Sequence, residues 1–150
     1  MAASKEEIVQ LLTTAYCMEL ETVMNYLANS TNLDGVRAEE IKKSLAADIT
    51  EELGHAQMLA KRIKQLGGVA PGSKSVKLGN QIQPPADTTD VVGVIQSVIA
   101  AEEAAIAHYR KIAQATEGDD YITQDLSVQL MADEEEHLSL FRGFLKEYDR

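Results

Sequence analysis

The chain has 150 residues, 45% of them hydrophobic, with a formal net charge of −10, three prolines, no tryptophan and one cysteine. That length builds one domain with a sizeable core and is short for two. The acidic balance excludes nucleic acid and an anionic membrane surface as partners, since both need a basic face, and Cys17 alone makes neither an intrachain disulfide nor a thiolate metal centre. Abundant Ala, Leu, Glu and Lys predict an all-α fold. Residues 1–7 lack an apolar signal core, and no uninterrupted apolar run approaches the ~20 residues of a membrane span, so a cytoplasmic protein in a reducing compartment is expected.

Ser4 and Glu7 form a capping-box pattern that starts the first helix, predicted over 4–31. Its apolar stripe is Ile8, Leu11, Leu12, Ala15, Tyr16, Val23, Tyr26 and Leu27, and Glu19 interrupts that stripe. The short polar stretch from Ser30 to Gly35 predicts a turn into an antiparallel partner. The second helix is predicted over 36–66 on a stripe of Ile41, Leu45, Ile49, Leu59, Ile63 and Leu66, with Glu52 and His55 on the same face.

Gly67 and Gly68 end that helix, and the segment to Asp87 shows no helical period. A thirty-residue helix spans ~45 Å while twenty extended residues reach ~65 Å, so this segment can cross the whole bundle and let the third helix run parallel to the second. The third helix is predicted over 88–117, capped within Asp87 to Asp90 and striped by Val91, Ile95, Val98, Ile99, Ile106, Tyr109 and Ile112. Glu102 lies on this stripe and Glu103 one position off it, so either fits the inward place. After the turn at Gly118, the last helix is predicted over 119–148 with Leu126, Leu130, Phe141, Phe144, Leu145 and Tyr148 inward, interrupted by Glu134 and His137.

The two halves repeat one pattern. Glu19 is followed by Tyr26 and then by Glu52-x-x-His55, just as Glu102 is followed by Tyr109 and then by Glu134-x-x-His137. Residues three apart share a helix face, so each Glu-x-x-His step aims a carboxylate and an imidazole at one point. Four carboxylates on inward stripes need positive charge among them, because an unpaired buried carboxylate costs several kcal/mol or more. No Lys or Arg occupies the central turns. Two divalent cations balance the four carboxylates, and oxygen-rich ligation with one imidazole each suits iron or manganese. Symmetry pairs Glu19 with His55 on one ion and Glu102 with His137 on the other, with Glu52 and Glu134 able to bridge. Tyr26 and Tyr109 are candidates to hold carboxylates from outside, or else plain core aromatics.

These residues, each on its own helix and in this order, resemble the ferritin-like di-iron carboxylate family of bacterioferritins, ferritins and rubrerythrins. The resemblance implies a four-helix bundle with a long crossover between the second and third helices, two Fe ions per chain, and oxidation of Fe(II) by dioxygen or hydrogen peroxide. Iron storage in an oligomeric shell and a non-catalytic metal-binding bundle are the alternatives. Leu53 stands where bacterioferritins place the haem-ligating Met, so no haem is expected, and one cysteine cannot build the rubredoxin site of rubrerythrins. The chain stops shortly after the fourth helix, without the further short helix usual in cage-forming ferritins, and a homodimer is the favoured assembly. His108 is read as solvent-facing, the charges Glu21, Glu51, Glu103, Glu135 and Glu136 as solvated or helix-pairing, and Met18, Met24, Met58 and Met131 as core or interface filler.

Overall fold

The computed structural model describes residues 2–79 and 81–148; Asn80, within the crossover, lies outside them. Four α-helices, α1 (Lys5–Asn32), α2 (Glu39–Gln65), α3 (Val91–Thr116) and α4 (Tyr121–Lys146), form an all-α bundle with no strand among the described residues. α1 pairs with α2, and α3 with α4, as two hairpins joined by the crossover. Caps set the starts: the Ser4 hydroxyl accepts from Glu7 N at 3.2 Å, and Asp90 and Asp120 accept from Gly93 N and Thr123 N at 3.0 Å. The last helix therefore begins at Tyr121 rather than at 119, because Asp120 is its cap. Likewise Val36–Ala38 is a single 3₁₀ turn instead of the first turn of α2, following Gly35 at φ +98°.

α2 ends in a Schellman arrangement, with Gly67 N donating to Lys64 O and Gly68 N to Ile63 O at 3.1 and 2.9 Å. Gly67 takes φ +88°, and a Cβ on Gly68 would stand 2.7 Å from Val9 Cγ1, so both positions require glycine. From there the crossover runs along α1: the Tyr16 hydroxyl donates to Pro71 O (2.8 Å), and the Asn25 and Asn29 amides donate to Gln81 O (2.6 Å) and Ile82 O (2.7 Å). It ends beside the α1–α2 turn, where Asp34 N donates to Thr88 O at 2.9 Å. The crossover thus spans the bundle, and α3 starts at the end where α2 started.

Two apolar clusters fill the interior. One, around Leu33, Leu45, Ile95, Val98 and Phe141, lies toward the α1–α2 turn; the other, around Ile8, Leu12, Leu59, Ile63, Ile112 and Leu130, lies toward the opposite end. Each fully buried Leu, Ile or Phe contributes about 1.5–3 kcal/mol relative to an exposed one, and the two clusters hold the polar middle of the bundle in place. α3 is long and apolar enough to cross a membrane by length and composition, but it is no uninterrupted apolar run and serves as a core helix with Glu102 at its centre. Leu27, expected inside, is 58% exposed: Tyr26 takes the inward position, and the next residue is turned ~100° away. Met24 and Met58 are exposed as well, so they do not fill the core.

Candidate metal centre

Glu19, Glu52, His55, Glu102, Glu134 and His137 are all at least 94% buried, between the two apolar clusters. Their ligand atoms fall into two groups, each within 4.8 Å: Glu19, Glu52, His55 and Glu134 in one, and Glu52, Glu102, Glu134 and His137 in the other. Glu52 and Glu134 belong to both. The contacts repeat across the pseudo-twofold of the two hairpins. His55 Nδ1 lies 3.0 Å from Glu134 Oε1 and 3.8 Å from Glu52 Oε2, and His137 Nδ1 lies 3.0 Å from Glu52 Oε1 and 3.8 Å from Glu134 Oε2. Glu19 Oε2 and Glu102 Oε1 complete the groups at 3.5 and 3.9 Å from the respective Nδ1 atoms.

Burial separates Glu102 from Glu103. Glu102 is 2% exposed, whereas Glu103 faces solvent and pairs with Arg142 at 3.4 Å. Arg62, which flanks the α2 stripe, is committed to Asp120 (2.8 Å) and Thr123 (2.9 Å) near the end of the bundle.

Despite these short separations, one atom of every one of the six side chains has no hydrogen-bond partner: Glu19 Oε2, Glu52 Oε1, His55 Nδ1, Glu102 Oε2, Glu134 Oε1 and His137 Nδ1. Six orphaned buried atoms converging on two points are an unfavourable arrangement for protein alone. They are the hard, oxygen-rich donor set with one imidazole per point that divalent iron or manganese accepts, so the residues present fit the two-ion group that they resemble.

The surrounding shell orients them. The Tyr26 hydroxyl donates to Glu102 Oε1 at 2.7 Å and the Tyr109 hydroxyl to Glu19 Oε1 at 2.6 Å. The pairs are crossed between hairpins, since each tyrosine holds the carboxylate of the helix opposite, which sequence spacing along one helix did not disclose. Burial and the neighbouring carboxylates push both phenols well above their usual pKa, so they stay donors. His55 Nε2 meets Asp133 Oδ2 at 3.0 Å and His137 Nε2 meets Glu51 Oε2 at 2.8 Å. With Nε2–H directed at a carboxylate, Nδ1 is the nitrogen presented to the centre.

Glu51 is therefore not merely a solvated charge. Asp133 and Asp48, the latter 3.7 Å from His137 Nε2, were missed altogether, although the acidic residue just before the Glu of each Glu-x-x-His step, Glu51 or Asp133, is visible in the sequence. His108 is also corrected: it is half-buried and its Nε2 meets Leu11 O at 2.8 Å. Glu21, expected in solvent, is 6% exposed.

Protons stand in for positive charge in this chain. Burial and the facing Glu19 raise Glu52 to about 12, and burial and Glu134 raise Glu102 to about 10. Burial also raises Glu134, but the facing Glu102 and the two imidazoles outweigh it and lower the group. Burial opposes charge on both histidines, yet the carboxylates around them win, taking His55 to about 10 and raising His137 further.

A four-helix bundle with paired Glu-x-x-His steps meeting at its middle is the architecture of carboxylate-bridged dinuclear proteins. The chain belongs to the ferritin-like domain family, whose family model matches residues 9–150. It is 27% identical over 141 residues to a bacterioferritin of Desulfovibrio desulfuricans, covering 93% of this chain and 74% of the relative. To a DNA protection during starvation protein of Pyrococcus furiosus it is 26% identical over 144 residues, with coverage of 93% and 77%. The fold is shared with the bacterioferritin-related dodecameric thioferritin of Bacteroides fragilis (TM-score 0.84, 23% identity, 99% of this chain and 89% of that one). It is shared equally with a ferritin-like di-iron carboxylate protein of Bacillus anthracis (TM-score 0.81, 23% identity, 97% and 99%). The expected dimer finds no support among these proteins, of which the thioferritin is a dodecamer.

Proposed function

We propose that this protein is a ferritin-like di-iron oxidoreductase that oxidises Fe(II), with dioxygen or hydrogen peroxide as the electron acceptor. The observation that carries the reading is the set of six buried, unpartnered ligand atoms gathered into two groups that share Glu52 and Glu134. Glu19 with His55, and Glu102 with His137, would hold one ion each, and the shared carboxylates would bridge. Two bound irons supply one electron each to the oxidant.

The chain's own residues do the rest. Glu52 and Glu134 set the separation of the two points, and each can turn between the histidines, whose Nδ1 atoms both lie within 3.8 Å of them. Tyr26 and Tyr109 hold one oxygen of Glu102 and of Glu19, leaving the other oxygen of each for Fe(II). Asp133 and Glu51 keep the imidazoles turned inward. The four protons on Glu52, Glu102, His55 and His137 would leave when two Fe(II) ions bind, so that four positive charges replace four and the site stays neutral. The apolar clusters on both sides exclude water.

A second reading is iron storage in an oligomeric shell, favoured by the similarity to a bacterioferritin and by the fold shared with a dodecameric thioferritin. Loading metal-free protein aerobically with excess Fe(II), then desalting and counting iron, separates the two. About two per chain supports the dinuclear enzyme, tens or hundreds per chain the storage shell, and none a manganese site or a purely structural bundle. We place the reaction in the cytoplasm, in a homo-oligomer.

A further inference from the structure

A cavity of about 650 Å³ lies on the outer side of α1, roofed by the crossover, and is separate from the metal centre. Cys17 and Glu21, one helical turn apart and 7% and 6% exposed, line it together with Val9, Met18 and Lys77. Glu21 Oε1 is shielded from solvent and has no hydrogen-bond partner. The Thr13 and Thr14 hydroxyls in the wall already donate to Val9 O and Gln10 O, at 2.7 and 3.1 Å, so neither proton serves the carboxylate. Gly79 brings the crossover close over Glu21, for a Cβ there would stand 3.5 Å from both carboxylate oxygens. No arginine or lysine pairs with Glu21 among the described residues, and Lys77 is exposed at the rim.

A buried carboxylate oxygen without a partner is costly, and a cavity of this size beside it has room for a small organic molecule. Its walls combine the apolar side chains of Val9, Cys17 and Met18 with threonine hydroxyls and glutamine amides that can serve as acceptors. We propose that this cavity binds a small organic cation with a primary ammonium head, its three N–H donors directed to Glu21 and the neighbouring acceptors and its alkyl chain lying along Val9, Cys17 and Met18. Burial raises the pKa of Glu21, with the Gly79 backbone partly offsetting it, as expected of a carboxylate that lacks its cation.

Cys17 provides a local readout, because an occupant of the cavity shields its thiol. The native protein is treated with methyl methanethiosulfonate in the presence of n-hexylammonium or neutral hexanol, and Cys17 modification is followed by mass spectrometry. The expected result is saturable protection of at least about tenfold by n-hexylammonium, little protection by hexanol at equal concentration, and loss of the protection in Glu21→Gln. Lys77→Ala, an exposed change that leaves the fold alone, should tighten binding by removing a like charge from the rim. Equal protection by hexanol, persistence of protection in Glu21→Gln, weakened binding in Lys77→Ala, or the absence of saturable n-hexylammonium binding in a calorimetric titration would each overturn the assignment.

Discussion

The sharing of Glu52 and Glu134 between the two ligand groups makes a quantitative prediction. Glu52→Gln and Glu134→Gln each remove a ligand from both points, whereas Glu19→Gln and Glu102→Gln remove one from a single point. A ligand at about 100 times its Kd stabilises the native state by ~2.7 kcal/mol, so two ions contribute about 5.4 kcal/mol. For a chain of this size each kcal/mol moves the midpoint by roughly 2–4 °C, so saturating Mn(II) should raise the Tm of the parent protein by roughly 11–22 °C. The rise should fall to about half in Glu19→Gln and Glu102→Gln, and to nearly nothing in the two shared-ligand variants. Mn(II) keeps the measurement at equilibrium by avoiding oxidation, and far-ultraviolet circular dichroism at fixed chain concentration follows the unfolding. Because Glu52 already holds its proton without metal, with a pKa of about 12, Glu52→Gln should leave the metal-free Tm close to that of the parent. Equal losses in all four variants would refute the shared geometry, as would a Glu52→Gln protein that keeps most of the metal-induced rise.

Three further outcomes are expected. Tyr26→Phe leaves Glu102 Oε1 buried without its donor and should cost about 1–3 kcal/mol in denaturant unfolding, with Tyr109→Phe doing the same to Glu19. Asp133→Asn removes the carboxylate that orients His55 and should weaken one of the two ions by roughly 10–100-fold in a calorimetric titration while sparing the other, which rests on Glu51. The third concerns pH. Glu52, Glu102 and His55 have folded pKa values of about 12, 10 and 10, above their ordinary 4.5, 4.5 and 6.5. Their contribution to the metal-free fold is therefore full below those ordinary values and is lost as pH rises toward 10. The metal-free Tm should drop between pH 6 and 9, and the rise in Tm on adding Mn(II) should grow over the same range, since metal must displace those protons. A metal-free Tm that climbs with pH would contradict the proton assignment.

Much of the architecture was legible in the chain itself. Helix faces follow from the apolar period, and a Glu or His that breaks such a face in the middle of a helix announces itself because an unpaired charge there is so unfavourable. The length of the Gly67 to Asp87 segment against the length of a helix decided the crossover, and the repeated Glu, Tyr and Glu-x-x-His order decided the pairing of hairpins. What adjacency along one helix cannot convey is which groups meet across helices. Only the packed bundle shows Tyr26 on Glu102 and Tyr109 on Glu19, buries Glu102 in preference to Glu103, and sets Asp133 and Glu51 behind the imidazoles of the facing helix. Glu21 is the clearest case: every local signal places it in water, and it is buried because a segment more than fifty residues later folds over it. Local sequence determines which face a side chain takes on its own helix, while long-range packing determines what that face meets.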